Sequence, residues 1–164
     1  KGYEQALWLD AKYHRYVEEV GAMNIFFVID HVVYTPALKG SILPGITRRS
    51  VIKLLKSHGY KVKEGNVDIR KVVEAAKNGT LNEVFGTGTA AVISPVGSFN
   101  YQGTDYVVNG GEMGEISKSL YDELTGIQCG KYPDKFRLFK SNRQKKRAFD
   151  ESQAPLPISE FLIL

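Results

Sequence analysis

The sequence of 164 residues predicts an α+β fold, in which helices flank a mixed or closed sheet. Two observations support this class. Apolar runs of strand length and apolar residues at helical spacing both occur, but they do not alternate strictly, as a doubly wound parallel sheet requires. The apolar content of 43% is also sufficient for a substantial core. We therefore expect one main folded domain.

Strand signals are strongest in the first third of the chain. Residues 6–9 form a short apolar run, and residues 24–29 and 32–34 predict a hairpin around an Asp30-His31 turn. Further along, alternation predicts one more strand and apolar runs predict others, with Gly86-Thr87-Gly88-Thr89 separating two of them. These further strands are expected within residues 60–67, 81–85, 90–96 and 104–108.

Three helices are predicted from apolar spacing and end signals. The first is expected at residues 46–58, after the break at Leu43-Pro44-Gly45. In the second, Asp68 caps a helix that ends at Asn78-Gly79. The third should face the core through an i, i+4, i+8, i+11 pattern made by Ile116, Leu120, Leu124 and Ile127.

The net charge of +4 comes from the end of the chain. Residues 131–164 contain eight Lys or Arg against four acids, whereas the remaining residues balance. A charge excess confined to one segment is weak evidence for nucleic-acid binding, so we do not expect a nucleic-acid partner. We expect a domain at residues 1–130 and a divergent basic tail at 131–164 that is disordered or loosely docked.

Cysteine and hydropathy restrict the class further. Cys129 is the only cysteine, which excludes an intrachain disulfide and a cysteine-based metal site. The longest apolar run, residues 24–29, is too short to span a bilayer. The sequence thus predicts a soluble, cytoplasmic protein that is not associated with a membrane.

Three segments carry groups suited to binding anions or a cation. Gly45-Ile46-Thr47-Arg48 would place free amides at a helix start, and the turn from Gly86 to Ala91 would allow a ligand to approach the backbone closely. Glu18 and Glu19 precede an apolar strand, and one of them could face inward toward a cation while the other is solvated. Taken alone, each segment also fits an ordinary helix start, tight turn or solvated loop.

Other catalytic patterns are weak or missing from the sequence. His14, His31 and His58 are widely spaced and have no second metal ligand at a suitable distance along the chain, so we expect no metal site. Ser50 and Ser94 lack the surroundings of a nucleophile elbow.

Five segments, in this order, resemble the branched-chain group of the class IV aminotransferases, which depend on pyridoxal phosphate (PLP). The similarity extends through nearly all of residues 2–130. The segments read GYEQALWLD from Gly2, EEVGAMN from Glu18, LPGITR from Leu43, EVFGTGTAAVISP from Glu83 and LYDELTGIQCG from Leu120. The resemblance implies a pseudobarrel of mixed strands flanked by helices, as in the large domain of the D-amino-acid aminotransferase type.

The resemblance also implies roles in binding the cofactor. Glu19 would pair with the protonated pyridine nitrogen of PLP and keep the ring an electron sink. Ile46 and Thr47 would hold the phosphate through their amides, with Thr89 close to it. Leu43 and Asn24 are similar to residues that line the cofactor.

Substrate roles follow from the same resemblance. Thr89 and Ala90 would bind the α-carboxylate through backbone amides, and Ala22 and Met23 would line an apolar pocket. Such a pocket suits Leu, Ile and Val, with the amino group passing to 2-oxoglutarate. The full-length enzyme is expected to be a homodimer. Ala91 and Ser94 stand where some relatives carry a Cys-x-x-Cys redox pair, so no thiol switch is expected.

Two departures from the family pattern affect the prediction. The lysine that forms the Schiff base lies upstream of the matched segments in the family, and Lys1 does not match it. We therefore assign no catalytic residue and expect the chain to be inactive alone. After Tyr132-Pro133-Asp134 the family closes with Phe-Gly-Trp, where this chain has Lys135-Phe136-Arg137-Leu138 and the basic tail.

Two alternatives remain open at this point. Another class IV enzyme, acting on a D-amino acid or aminodeoxychorismate, would share most of these motifs. A non-catalytic interaction protein would instead use the basic run from Lys140 to Arg147 to contact an acidic surface.

Overall fold

The computed structural model describes residues 2–138 and 158–163. Within them, three α-helices accompany ten strands. The helices are α1 (Ile46–Ser57), α2 (Ile69–Lys77) and α3 (Glu115–Gln128). The strands are β1 (Gln5–Leu9), β2 (Tyr16–Val20), β3 (Asn24–Ile29), β4 (Val32–Pro36), β5 (Val62–Gly65), β6 (Val67–Asp68), β7 (Leu81–Thr87), β8 (Ser94–Tyr101), β9 (Thr104–Val107) and β10 (Ser159–Ile163).

The strands form one mixed sheet in the order β5-β4-β3-β7-β8-β10-β1-β2-β6, with β9 paired to β8. The sheet curls so that its two ends approach each other, because β6 contacts β4 and β2 contacts β3 across the interior. Helices pack on this nearly closed sheet. The α+β pseudobarrel expected from the sequence is confirmed.

The hairpin of β3 and β4 follows its prediction closely. The two strands pair antiparallel, and the turn between them is formed by Asp30 and His31 with φ angles of 47° and 61°. Two successive left-handed residues make the type of tight turn whose twist matches that of the flanking strands. The residues of the turn and of the two strands were therefore sufficient to predict this hairpin.

Two strand predictions differ from the structure. The strand expected at residues 90–96 begins only at Ser94, and Gly86 and Thr87 belong to β7, because Phe85 pairs with Pro95 and Gly86 with Ser94. The residues between them leave the sheet as a turn. The single strand expected within residues 60–67 is instead two strands, β5 and β6, which lie at opposite ends of the sheet.

Two apolar clusters stabilise the fold, one on each face of β3. Ile25 and Phe27 point into the barrel with α2, whereas Phe26 and Val28 pack under α1 and α3. All four side chains are buried, and burial of each contributes about 1.5–3 kcal/mol. A strand buried on both faces explains why this run shows no alternation of polar and apolar residues.

The α3 start is held by a residue distant in sequence. The buried Glu83 carboxylate on β7 accepts hydrogen bonds from the Ile116 amide (2.9 Å), the Ser117 amide (2.9 Å) and the Ser117 hydroxyl.

Across residues 2–138 and 158–163, the helices are all too short or too polar to cross a bilayer.

The described part of the chain end contains a strand that the sequence did not predict. We expected residues 131–164 to form a tail that is disordered or loosely docked; within the described part of that range, Ser159–Ile163 forms β10 inside the sheet, parallel to both β8 and β1. Phe161 is 1% exposed and joins the barrel core, because alternate residues of β10 face the interior. The basic run from Lys140 to Arg147 lies outside the described residues.

Candidate functional site

The three segments singled out from the sequence meet at one edge of the sheet. They are the connection from β2 to β3, the segment before α1, and the turn from β7 to β8. A tight turn positions the first of these: Val20 and Met23 exchange backbone hydrogen bonds of 2.8 and 2.9 Å around Gly21, which has a φ of 53°. This turn brings Glu19 next to Asn24 and leaves Ala22 exposed at its tip.

Glu19 is fixed by the segment that leads into α1. Its Oε1 atom accepts a hydrogen bond from the Leu43 amide (3.0 Å) and another from the Asn24 side-chain amide (3.2 Å). Asn24 also donates to the Leu43 carbonyl (2.9 Å) and is only 5% exposed. The carboxylate is therefore oriented by neighbours on two other parts of the chain.

Glu18 also has a partner on the segment before α1. From the sequence, one of the two adjacent carboxylates could face inward while the other is solvated. Both side chains are half-buried, and Glu18 accepts a hydrogen bond from the Ser41 hydroxyl (3.1 Å). Glu18 thus binds the Ser41 side chain, whereas Glu19 binds the backbone amide of Leu43 next to the approach to α1.

The start of α1 is open to an external anion. Gly45 occupies the N-cap position with extended backbone, and among the described residues no side chain caps this helix start. The first turn also contains no acidic residue. The amides of Ile46 and Thr47 are thus at the positive end of the helix dipole without a carboxylate from the chain.

Gly45 is required by close packing at this point. A Cβ atom on Gly45 would collide with the Asn24 side-chain oxygen, so glycine permits the contact between the helix start and the residue that orients Glu19. The sequence motif contained this glycine, but its role depends on a partner more than 20 positions earlier. Sequence reasoning therefore missed Gly45 as a site residue.

The β7–β8 turn lies directly against the same helix start. The Thr47 hydroxyl donates to the Gly88 carbonyl (3.3 Å), and the Gly88 amide donates to the Ala91 carbonyl (3.2 Å). A Cβ atom on Gly88 would lie 3.0 Å from Cγ of Met23. Thr89 and Ala90 are exposed at the tip of this turn.

Thr87 lies in the segment singled out from the sequence, but sequence reasoning assigned it no role of its own. Its side chain is 2% exposed, its hydroxyl has no hydrogen-bond partner within the described residues, and it pairs with Asn24 across β3 and β7. An unpaired buried hydroxyl costs about 1–3 kcal/mol. Such a cost is typical of a site whose hydrogen bonding is incomplete in the protein alone.

The mouth of the site is apolar. Leu43 is 64% exposed, Ile46 is 63% exposed and Leu38 is 45% exposed, and all three lie on the approach to α1 or at its start. Met23 is half-buried beside Gly88. Polar atoms that are fixed by hydrogen bonds thus lie beside aliphatic surface, as in sites that bind a partly apolar ligand.

The strand that carries Glu19 is anchored at its other end by two aspartates. Asp10 accepts from the amides of Tyr16, Arg15 and Tyr13, and these hydrogen bonds lower the pKa of its carboxyl. Asp68 pairs with Tyr16 in the sheet and accepts from Arg70 and Arg15, which hold the pKa of Asp68 well below its usual range. These contacts fix the β1–β2 connection and the β2–β6 pair.

The donors and acceptors here fit a cofactor with a phosphate and a cationic ring. An uncapped helix start with a nearby hydroxyl suits the phosphate, and a fixed carboxylate suits a protonated ring nitrogen. Glu19 is bound by Asn24, which packs against Gly45 at the start of α1. Thr47 in the first turn of α1 binds Gly88. These contacts place the fixed carboxylate and the open helix start in one region.

The comparisons with known proteins identify the family of the chain. The family model for class IV amino-transferases matches residues 1–99, and the chain belongs to this family. A probable branched-chain-amino-acid aminotransferase of Staphylococcus epidermidis is 56% identical over 135 residues. The branched-chain-amino-acid aminotransferase 2 of Bacillus subtilis is 56% identical over 136 residues. These alignments cover 82% and 83% of this chain.

Solved structures show the same similarity. The branched-chain amino acid aminotransferase of Escherichia coli is 33% identical, with a TM-score of 0.71 over 85% of this chain and 43% of that chain. The T.th. branched-chain enzyme complexed with N-(5'-phosphopyridoxyl)-L-glutamate is 32% identical, with a TM-score of 0.66 over 79% of this chain and 40% of that one. The chain spans 38% of the length of the two curated relatives.

Proposed function

We propose that this chain is the cofactor-binding part of a branched-chain amino-acid aminotransferase, which uses PLP to move an amino group between Leu, Ile or Val and 2-oxoglutarate. The observation that carries the proposal is the contact of the Glu19 carboxylate with the Leu43 amide and Asn24, beside an α1 start that lacks a cap. The names of the relatives and the phosphopyridoxyl ligand in the T.th. structure support it.

The residues have distinct tasks in this proposal. PLP, when bound, supplies the electron sink that amino transfer requires. Glu19 holds the ring nitrogen in its protonated form, and its orientation is maintained by Asn24. The amides of Ile46 and Thr47 bind the phosphate with the support of the helix dipole.

The β7–β8 turn binds the substrate at its polar end. Thr89 and Ala90 lie at the tip of the turn, so their amides are able to donate to an α-carboxylate, and the Thr47–Gly88 hydrogen bond keeps the turn beside the phosphate site. Leu43, Ala22 and Met23 line the cofactor and the aliphatic side chain of the substrate. An apolar lining favours branched aliphatic groups over charged ones.

The rest of the enzyme completes catalysis in this proposal. The resemblance gives the proton-transferring lysine no counterpart in this sequence, and part of the substrate pocket in the family belongs to a smaller amino-terminal domain. We therefore propose that the chain alone binds the cofactor without turning over substrate, and that the whole enzyme is a cytoplasmic homodimer. Turnover of leucine with 2-oxoglutarate by the purified chain would contradict the first part.

The site assignment is tested by PLP titration of the purified chain and two matched variants, followed by fluorescence and absorbance at pH 7. Glu19→Gln removes the charge that pairs with the ring nitrogen, so we expect at least roughly tenfold weaker binding and a changed absorption maximum. Glu18→Gln, one residue away, should bind within about twofold of the original chain. Equal effects of the two variants, or no saturable binding by the original chain, would contradict the assignment.

Two other functions were open from the sequence. The family model alone is equally compatible with a class IV enzyme acting on a D-amino acid or aminodeoxychorismate, but the relatives at 56% identity are named for branched-chain substrates. The interaction protein with a basic tail depends on residues outside the described part of the chain, and no contact in the described part favours it.

A further inference from the structure

The sheet contains a gap that only the end of the chain fills. β1 and β8 are not neighbours, because β10 lies between them and pairs parallel with both. Gln5 pairs with Phe161 on one side, and Phe161 pairs with Phe99 on the other. Parallel neighbours cannot be joined by a tight hairpin, so β10 is not the hairpin partner of either strand.

The walls of this gap are shaped to receive an alternating strand. Phe161 and Ile163 point into the barrel core, whereas Glu160 is exposed. The Ser159 hydroxyl lies 3.3 Å from that of Ser94, and a Cβ atom on Gly97 would collide with Ile158. The walls thus accept apolar side chains at every second position and leave no room beside Gly97.

The position of β10 has two local features. The pairing with β8 shifts register between Ser159 and Glu160, as the pairings of β1 with β2 and of β3 with β7 also do. A void of about 10 Å³, bordered by Phe161, Ile163, Leu7 and Phe27 among others, remains in the barrel. A space of this size holds at most one water molecule, so the barrel core around β10 is filled.

The strand lies outside the part of the chain that the family model matches. β1 and most of β8 lie in residues 1–99, which match the family, whereas β10 lies beyond that match. The Escherichia coli enzyme has the same fold over 85% of this chain, and this chain spans only 43% of it. Unfilled edges at β1 and β8 would leave backbone amides and carbonyls unpaired inside a barrel, which is costly.

We propose that the gap between β1 and β8 is a strand-acceptor slot, and that Ser159–Ile163 occupies it as a displaceable stand-in for a parallel, alternately apolar strand from the rest of the aminotransferase polypeptide. The slot itself follows from the topology. The proposal rests on the proposed function only for the source of the displacing strand. In this view β10 competes with assembly of the complete enzyme.

Hydrogen exchange on the unchanged chain tests displacement directly. If β10 leaves the slot without global unfolding, its amides should exchange at least roughly tenfold faster than those of the central strands β3 and β7. Exchange of β10 at the same slow rate as β3 and β7 would overturn the proposal. This measurement needs no variant and no cofactor, so its failure is distinct from a failure to bind PLP.

Binding of a strand in trans tests the acceptor slot. The probe is a fluorescent peptide with the sequence of residues 158–163 and two added lysines for solubility, followed by fluorescence anisotropy. Phe161→Asp weakens the strand in cis, so the 164-residue variant should bind the probe at least roughly tenfold more tightly than the original chain. Glu160→Gln, which changes an exposed side chain on the same strand, should not differ from the original chain by more than about twofold.

A probe with a changed sequence tests the specificity of the slot. A probe with Asp in place of the phenylalanine should not bind, because the corresponding position faces the barrel core. A folded Phe161→Asp variant that does not bind the original probe would overturn the proposal. If that variant does not fold, the exchange measurement on the unchanged chain decides alone.

Discussion

The starts of α3 and α1 contrast in how their free amides are satisfied. Both begin after a glycine, and at both a Cβ atom would collide with a side chain. At Gly114 that side chain is Glu83, whose buried carboxylate accepts from the amides of the helix. At Gly45 it is Asn24, which binds Glu19 and leaves the amides without a carboxylate.

The second helix follows the pattern of α3. Asp68 caps α2 through the Arg70 amide, at a distance of 3.1 Å. Two helices therefore receive an anionic acceptor from the protein, and α1 does not. Because all three helices bury apolar residues, the open start of α1 does not reflect a helix that is peripheral to the fold. The difference supports the proposal that the start of α1 binds an anion from outside the chain.

The largest expected effect comes from removing the acceptor at α3. Glu83→Ala leaves two amides and the Ser117 hydroxyl without their charged partner, so we expect the free energy of unfolding to fall by about 3 kcal/mol. Urea denaturation measures this loss. Glu112→Ala removes an exposed carboxylate nearby and should change the stability by less than ~0.5 kcal/mol. A loss below ~1 kcal/mol for Glu83→Ala would show that solvent satisfies this helix start.

An intermediate effect is expected at α2. Asp68→Asn retains a capping oxygen but removes the charge that Arg70 and Arg15 stabilise, and both arginines are largely exposed. We expect a loss of about 1 kcal/mol in the free energy of unfolding at pH 7.

The pH dependence of this loss has a definite sign. The folded-state pKa of Asp68 is lowered, chiefly by hydrogen bonds from Arg70, so its contribution is present above the unfolded-state value of about 3.9 and disappears as the pH falls below it. The stability difference between the original chain and Asp68→Asn should be constant from about pH 5 to 7 and shrink toward pH 2. Denaturation at several pH values tests this, and a difference that persists undiminished at pH 2 would contradict it.

The smallest change in stability, but the most informative, is expected at α1. Ile46→Asp introduces a carboxylate in the first turn, and we expect the free energy of unfolding to rise by about 0.3–1 kcal/mol. The same charge repels a phosphate, so affinity for PLP should fall about fivefold, whereas affinity for pyridoxal, which lacks the phosphate, should change much less. Denaturation and ligand titration measure the two opposite changes.

The control for Ile46→Asp lies at the other end of the same helix. Ser57→Asp places the same charge near the negative end of the dipole, where it should lower the stability by a few tenths of a kcal/mol and leave PLP affinity unchanged. A fall in PLP affinity of similar size in both variants would mean that net charge, not the helix start, controls binding.

The sequence predicted most of the local structure, because the signals were local. The Asp30-His31 turn, the Asp68 cap and the apolar period of α3 each lie within one element or between adjacent ones, and each is confirmed. The sequence placed the end of β7 at Phe85, two residues before its actual end at Thr87. The end of a strand depends on the partner with which it pairs.

The candidate site was predicted in outline through the family resemblance. Glu19, Thr47 and the 88–91 turn lie in one region, although their binding roles stay predictions until ligand binding is measured. Gly45 and Thr87 lay in the candidate segments without individual roles, because their contacts are with Asn24, which is distant along the chain. The inward and outward faces of Glu18 and Glu19 were also not separable, since the 41–43 segment folds over both.

By itself, the sequence determined the class of fold, the family and the positions of three helices, because apolar period, caps and ordered motifs are written in neighbouring residues. Only the tertiary structure decided that Glu83 binds the amides at the start of α3 and that the Leu43 amide binds Glu19. It also decided that Ser159–Ile163 pairs between β1 and β8. These contacts join residues from 24 to more than 150 positions apart. Their energy appears only when the whole sheet has closed, so no local pattern encodes them.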